Sequence, residues 1–170
     1  MDVLEAIRRR RSAKALEPVK IPREHLETIV DAGRLAPSGR NTQPWEFVVI
    51  TDPKTIAQIA EVQALLKQAS AIIAIVADEH ASRYWLEDAS AACENMLLTI
   101  EALGYGSRWI EGTLLPKEAW AKELLGVPAE KRLIILLPVG KGVYDKEPKP
   151  KKTLKEVLHW ERYGQRTANR

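Results

Sequence analysis

A chain of 170 residues with 45% hydrophobic and 29% charged side chains has the size and balance of one globular domain, 1–170, with a core of its own. Its formal net charge of +3 is too small for a dedicated nucleic-acid binder, and no apolar run approaches the ~20 residues of a membrane span. The single cysteine, Cys93, excludes an internal disulfide and, with charged side chains in place of an apolar leader, predicts a soluble cytoplasmic protein.

Asp2 is placed to cap a first helix carrying Val3, Leu4 and Ile7 on one side. That helix runs into Arg8-Arg9-Arg10-Arg11. Neighbours on a helix sit about 100° apart, so adjacent arginines cannot share one face. Some form a solvated basic surface, the ordinary reading for Arg8 and Arg9, and the others are free to serve a site. Pro22 is suited to be the first residue of a second helix with Leu26, Ile29, Val30 and Gly33 at helical spacing. The polar stretch Ala36–Trp45 leads to a strand over Glu46–Thr51. Asp52-Pro53 starts a third helix, with Ile56, Ile59, Ala60 and Gln63 on one face and Leu65 and Leu66 extending it. Ala71–Ala77 is an unbroken apolar run of strand length, as a central strand covered on both sides requires.

The longest helical pattern runs from Arg83 or Tyr84 to Leu103 and is apolar or small nearly all round, so it is buried in the core or between subunits. Gly104 ends it. Tyr105–Gly112 predicts a strand and loop, and Pro116–Leu125 a surface helix with Trp120 and Leu124 inward, closed by Gly126. Leu133–Val139 is another buried strand, and Gly140-Lys141-Gly142 a flexible exit. From Tyr144 the chain is rich in proline and lysine. Its closing apolar residues, Leu154, Val157, Leu158 and Trp160, predict an arm over 144–170 that docks.

Within this frame one loop stands out: Ala36-Pro37-Ser38-Gly39-Arg40-Asn41-Thr42-Gln43-Pro44-Trp45. Two prolines stiffen it and Gly39 lets the backbone turn or approach another group. Ser38, Asn41, Thr42 and Gln43 donate and accept hydrogen bonds without charge, which suits a flat ligand with polar edges. An ordinary helix-to-strand connection would use the same residue types. Upstream, Arg10-Arg11-Ser12-Ala13-Lys14 offers guanidinium forks that match phosphate oxygens.

Read together and in this order, the two motifs resemble the flavin-dependent nitroreductase family. Its members open with a helix ending in an Arg-x-Ser-x-Arg/Lys pattern, followed by an Ala-Pro-Ser-x-x-Asn-x-Gln-Pro-Trp loop. The resemblance extends along most of the chain. It implies an α+β fold, nitroreductase-like, with a central, mostly antiparallel sheet flanked by helices. It also implies an intertwined homodimer with an exchanged C-terminal arm. Arg10, Arg11, Ser12 and Lys14 would then hold the phosphate and ribityl chain of FMN, with Lys14 near N1 and O2 of the ring. Glu111 and Gly112 would lie at the N5 edge, and Pro37, Ser38, Gly39 and Asn41 would come from the other protomer. Lys149 and Lys151 would reach the phosphate from the arm, with Lys152 a rival for one of these roles.

The implied activity is ping-pong oxidoreduction: NADH or NADPH delivers hydride to flavin N5 and departs, and a small acceptor such as a nitroaromatic or quinone takes its place. The chemistry belongs to the cofactor, so no side chain is named as acid or base. Only a modest segment separates Trp45 from Ala71, whereas longer relatives insert helices over the flavin, so the acceptor is left open. A flavin-binding relative without nitro turnover, a sensor, storage or dehalogenating protein, is the alternative. A nucleic-acid module built on Arg8–Arg11 and the lysine tail lacks the interleaved aromatics such modules use. No histidine or cysteine pair has metal spacing, with His25, His80 and His159 far apart. No Gly-x-Gly-x-x-Gly follows a strand, so a nicotinamide donor has no Rossmann site here. The expected partners are a second copy and a small-molecule acceptor, with no nucleic acid, membrane or metal.

Overall fold

The computed structural model describes residues 1–166. Asp2 caps α1 (Val3–Arg9) as expected, accepting the N–H groups of Leu4 and Glu5 at 2.8 and 3.0 Å. The helix buries Ala6 and turns Val3, Leu4 and Ile7 outward. At Arg10 the backbone leaves helical geometry and runs extended into β1 (Ala15–Glu17). Next comes α2 (Arg23–Arg34), with Pro22 one residue ahead of it instead of inside its first turn.

The core is a three-stranded antiparallel sheet of order β2-β3-β4, from β2 (Trp45–Ile50), β3 (Ala71–Ala77) and β4 (Arg132–Val139). Every residue of β3 is buried. Successive side chains of a strand point to opposite faces, and β3 obeys this strictly. Ile72, Ala74 and Val76 join a cluster with Ile59, Leu66 and Ala121. Ile73, Ile75 and Ala77 join another with Met96 and Ile100. The first face is covered by α3 (Pro53–Ile59) and α5 (Glu118–Leu125), the second by α4 (Trp85–Ala102) with α2 behind it. Full burial of each large aliphatic side chain contributes about 1.5–3 kcal/mol. At Gly33 an added Cβ would lie 2.9 Å from Met96 Cγ, so α2 meets α4 at glycine-only distance. This is the expected α+β architecture. No described helix is long and apolar enough to cross a membrane.

Several expectations need correction. The helix opened by Asp52-Pro53 stops at Ile59, and Leu65 and Leu66 belong to a separate 3₁₀ turn, Ala64–Gln68. The turn at Ala60–Val62 lets Leu66 reach the core from a new direction. Trp120 is exposed, because Ala121 takes the inward position on α5. Gly140-Lys141-Gly142 is not a free exit: Lys141–Val143 forms β5, antiparallel to β1. Tyr105–Gly112 is held by isolated bridges, Gly106 to Gly140 and Ile110 to Leu136, instead of forming a continuous strand. The arm carries a short helix, α6 (Leu154–Val157), but Leu154, Val157 and Trp160 stay exposed and do not dock on their own protomer. Its last residues, 167–170, lie outside the described ones.

Gly106 packs closely against Gly142 of β5. An added Cβ would overlap the Gly142 backbone, which cannot rotate away. Gly106→Ala is expected to cost about 1–3 kcal/mol, read as a lower midpoint in denaturant unfolding. Gly112→Ala, which meets open space, should stay within about 0.5 kcal/mol of the parent.

Candidate functional site

The segment Arg10–Lys14 is pinned by its backbone. Ala13 N–H donates to Ser107 O at 2.9 Å, and Lys14 N–H to Val143 O at 2.8 Å. Ser12 also pairs with Ser107 in a parallel bridge. Extended backbone alternates its side chains, so Ala13 is buried while Ser12 and Lys14 stand exposed. That alternation explains the spacing of the motif: every second residue faces out.

Around this strip positive charge gathers on a carboxylate. Lys14 Nζ lies 2.9 Å from Asp145 Oδ1. Arg11 donates to the Asp145 carbonyl at 2.6 Å and its guanidinium sits 5.2 Å from the Tyr144 ring centre. The hydrogen bond from Lys14 and then its charge hold the Asp145 carboxyl below the usual range, and Lys149 and Arg11 add to this. The strip therefore already seats one anionic group. Arg10 is directed to α4 instead, with Nε 3.5 Å from Glu94 Oε1 and a side chain 27% exposed.

Glu111 and Gly112 follow Ile110, which pairs with Leu136 of β4. Burial pushes the Cys93 thiol far up; Glu94 and then Glu111 push the same way, and Arg10 opposes them. That shift keeps Cys93 protonated and inert as a nucleophile. Glu111 accepts Trp109 Nε1–H at 2.9 Å, and its carbonyl accepts Leu114 N–H at 2.7 Å. The Gly112 backbone is exposed, with nothing within 4 Å of the place a Cβ would take.

The Ala36–Trp45 loop is elsewhere. Its middle is a 3₁₀ turn, Gly39–Asn41, and Arg40, Asn41 and Gln43 take φ of 54°, 58° and 49°. A left-handed conformation costs an ordinary L-residue about 1–2 kcal/mol, with asparagine tolerating it best. Internal bonds support the turn: Gln43 N–H to Ser38 Oγ at 3.0 Å, and Asn41 N–H to Ser38 O at 3.0 Å. Gly39 N–H donates to Asp88 Oδ1 at 2.9 Å. Pro37 and Asn41 are exposed, Ser38 and Gly39 half-buried.

Within one protomer the expected residues thus form two groups. Arg10, Arg11, Ser12 and Lys14 lie together on the segment bonded to Ser107 and Val143, with Glu111 and Gly112 a few residues beyond Ser107 in the chain. Pro37, Ser38, Gly39 and Asn41 sit against the start of α4 at Asp88. Arg10 meets that helix at Glu94, six residues beyond Asp88 and so about 9 Å along its axis at 1.5 Å per residue. Among the described residues no hydrogen bond or ion pair joins the two groups. Lys151 is exposed and takes no partner among the described residues. Sequence reasoning missed Asp88, Ser107, Tyr144 and Asp145. Only Asp88 gave a signal, a carboxylate in the first turn of an otherwise apolar helix.

Comparisons with known proteins identify the family. The model described as "Nitroreductase family" matches residues 7–64 and 61–141, which takes in both motifs. A protein of Archaeoglobus fulgidus, provisionally named NADH dehydrogenase/NAD(P)H nitroreductase, is 37% identical over 158 residues, 87% of this chain and 88% of the relative. The iodotyrosine deiodinase of Thermotoga neapolitana is 28% identical over 179 residues, 89% of this chain and 92% of that protein. Among solved structures, an FMN-dependent nitroreductase from Clostridium difficile R20291 is 26% identical with a TM-score of 0.82, covering 94% of this chain and 99% of that one. With the fold, the order of the two motifs and their surroundings in place, the chain belongs to the nitroreductase family.

Proposed function

We propose that this protein is an FMN-dependent oxidoreductase, acting as a homodimer, that carries reducing equivalents from NADH or NADPH to a small acceptor. The observation that carries the reading is the strip Arg10–Lys14 with an anion already seated on it: the Asp145 carboxylate pairs with Lys14 while Arg11 holds the Asp145 main-chain carbonyl. The donor set fits FMN. Cationic side chains suit the phosphate, Ser12 suits the ribityl hydroxyls, and neutral Ser38 and Asn41 suit a polar ring edge. The relative named as FMN-dependent supports the same cofactor, and the relative named for NAD(P)H supports the donor.

When bound, FMN supplies the hydride-accepting and electron-donating chemistry of a ping-pong cycle. The chain's own residues bind and orient. Arg10, Arg11, Lys149 and Lys151 would grip the phosphate, each charge-assisted bond contributing about 1.5–3 kcal/mol. Lys14 would bring positive charge to the ring and so favour its reduction. Glu111 and Gly112 would offer main chain close to the ring, and Pro37, Ser38, Gly39 and Asn41 of a second copy would complete the site. Exposed apolar side chains support that second copy: Val3, Leu4 and Ile7 on α1, and Leu154, Val157 and Trp160 on the arm. Exchange of the arm between protomers would cover the latter set. A free, reduced Cys93 fits a cytoplasmic setting.

Nitroaromatics and quinones are the acceptors this reading favours. The similarity to a deiodinase supports a second reading, a flavoprotein that handles halogenated substrates without nitro turnover. Steady-state turnover with NADH and NADPH against a nitroaromatic, a quinone and an iodophenol separates them.

Purified protein should be yellow, or bind added FMN when colourless; protein that does neither overturns the reading. Arg10→Ala should weaken FMN binding by about 10- to 100-fold, one charge-assisted bond, with little change in apo-protein melting. Its exposed pairing with Glu94 adds about 0–1 kcal/mol to stability. Asp145→Asn should bind FMN several-fold more tightly, because a competing anion leaves Lys14. Fluorescence titration of the apo-protein measures both.

A further inference from the structure

The loop that carries Ser38, Gly39 and Asn41 is strained, yet its internal hydrogen bonds only close the turn. They do not fix where the turn stands on the molecule. Three non-glycine residues in the left-handed region persist only where the surroundings over-determine them. Between Pro37 and Gln43, the hydrogen bond that crosses to another element is Gly39 N–H to Asp88 Oδ1, at 2.9 Å.

The other side of Gly39 is equally confined. A Cβ there would lie 2.6 Å from Cδ2 of Tyr84, the residue that precedes α4. Gly39 is thus held between Tyr84 and Asp88, both at the start of the longest helix. Asp88 itself is only 6% exposed, and its Oδ2 is buried without a hydrogen-bond partner among the described residues. Burying a carboxylate with one oxygen unmatched is unfavourable, and a fold keeps such a group where a specific contact needs it. Its place in the first turn of α4, facing the positive end of the helix dipole, offsets part of that penalty.

We propose that Asp88 is a positioning residue for the cofactor site: by accepting the Gly39 N–H it sets the height of the loop on α4, and with it where Ser38, Gly39 and Asn41 meet FMN. This inference rests on the FMN reading above. The requirement it places on the side chain is an acceptor at one point, with no proton or electron transferred. Asparagine can present its carbonyl oxygen at that point, and alanine cannot.

The test uses the full chain, as wild type, Asp88→Ala and Asp88→Asn. Three quantities are measured: hydrogen exchange of the Gly39 amide in the apo-protein, FMN affinity by fluorescence titration, and the visible circular dichroism of bound flavin. In Asp88→Ala, Gly39 exchange should rise at least tenfold, FMN should bind about tenfold more weakly, and the flavin dichroism should change shape. In Asp88→Asn all three should stay close to wild type. Should the alanine variant be unfolded, the asparagine variant decides, since its Gly39 protection and flavin dichroism must still match wild type.

Unchanged Gly39 exchange or unchanged flavin dichroism in a folded Asp88→Ala protein overturns the proposal. So does an asparagine variant that loses FMN as the alanine variant does, because acceptor geometry is then not what matters. Wild type that binds no FMN is a separate result: it ends the cofactor reading, whereas the Gly39 exchange still reports on the Asp88 contact alone.

Discussion

Two backbone hydrogen bonds, from Ala13 N–H to Ser107 O and from Lys14 N–H to Val143 O, determine what the basic segment can do. They stop the chain from continuing α1 as a helix. A helix would have sprayed four arginines and a lysine around its circumference at about 100° intervals. Extended backbone sorts them instead, burying Ala13 and turning Ser12 and Lys14 outward. The partners of these bonds come from the segment after α4 and from β5, so the strip cannot form until the end of the fold is in place. Gly106, Gly140 and Gly142 lie beside it, where the Gly142 backbone leaves no room for a side chain at Gly106 and the Tyr144 ring leaves none at Gly142. The pairing of β1 with β5 continues the strip into the body of the protein, where Leu16 packs in the core.

The second constraint is α4. Its buried face, Ala89, Ala92, Cys93, Met96, Leu97 and Ile100, anchors it to the central sheet. Its two ends meet different things. Near the start, Asp88 and Tyr84 hold the polar loop. Further along, Glu94 and Glu101 meet Arg10 and Arg9. A rigid helix between them acts as a spacer of constant length, so neither group can drift toward the other. An ion pair as exposed as Arg9–Glu101 adds little stability by itself. Its use is orientation, since it ties α1 to α4 just before the chain turns into the strip.

How much of this could be read beforehand depends on how local each signal is. The caps at Asp2 and Asp52 act within three residues, and both stand where the sequence puts them. β3 is legible because seven consecutive apolar residues admit few other fates. The motif around Arg10 and the loop around Asn41 were legible through resemblance, and the alternation of Ser12 and Lys14 supplies its physical basis. The misses are contacts between distant positions. β1 and β5 have three residues each, too short for any periodic pattern, and pair across more than a hundred residues. Trp120 was expected inward with Leu124, but on a helix as short as α5 the smaller Ala121 fits the close approach to β4. Asp88 stands out as a carboxylate in the first turn of α4, but nothing local marks that its partner lies 49 residues upstream.

The two groups also bear on assembly. The polar loop and the cationic strip are each well formed within one protomer, yet they sit at separate stations along α4. A single flat ligand with an anionic tail needs both kinds of group within its own length. On the proposed reading, the loop that completes a strip belongs to another copy. Binding would then be linked to association: a ligand that contacts both chains stabilises the dimer over its separated halves by mass action. The outward apolar sides of α1 and of the arm fit this arrangement, because Arg10 directly follows α1 and the arm carries near its start the Asp145 that pairs with Lys14. A surface that brings two chains together would, on both counts, lie next to the residues that the second chain completes.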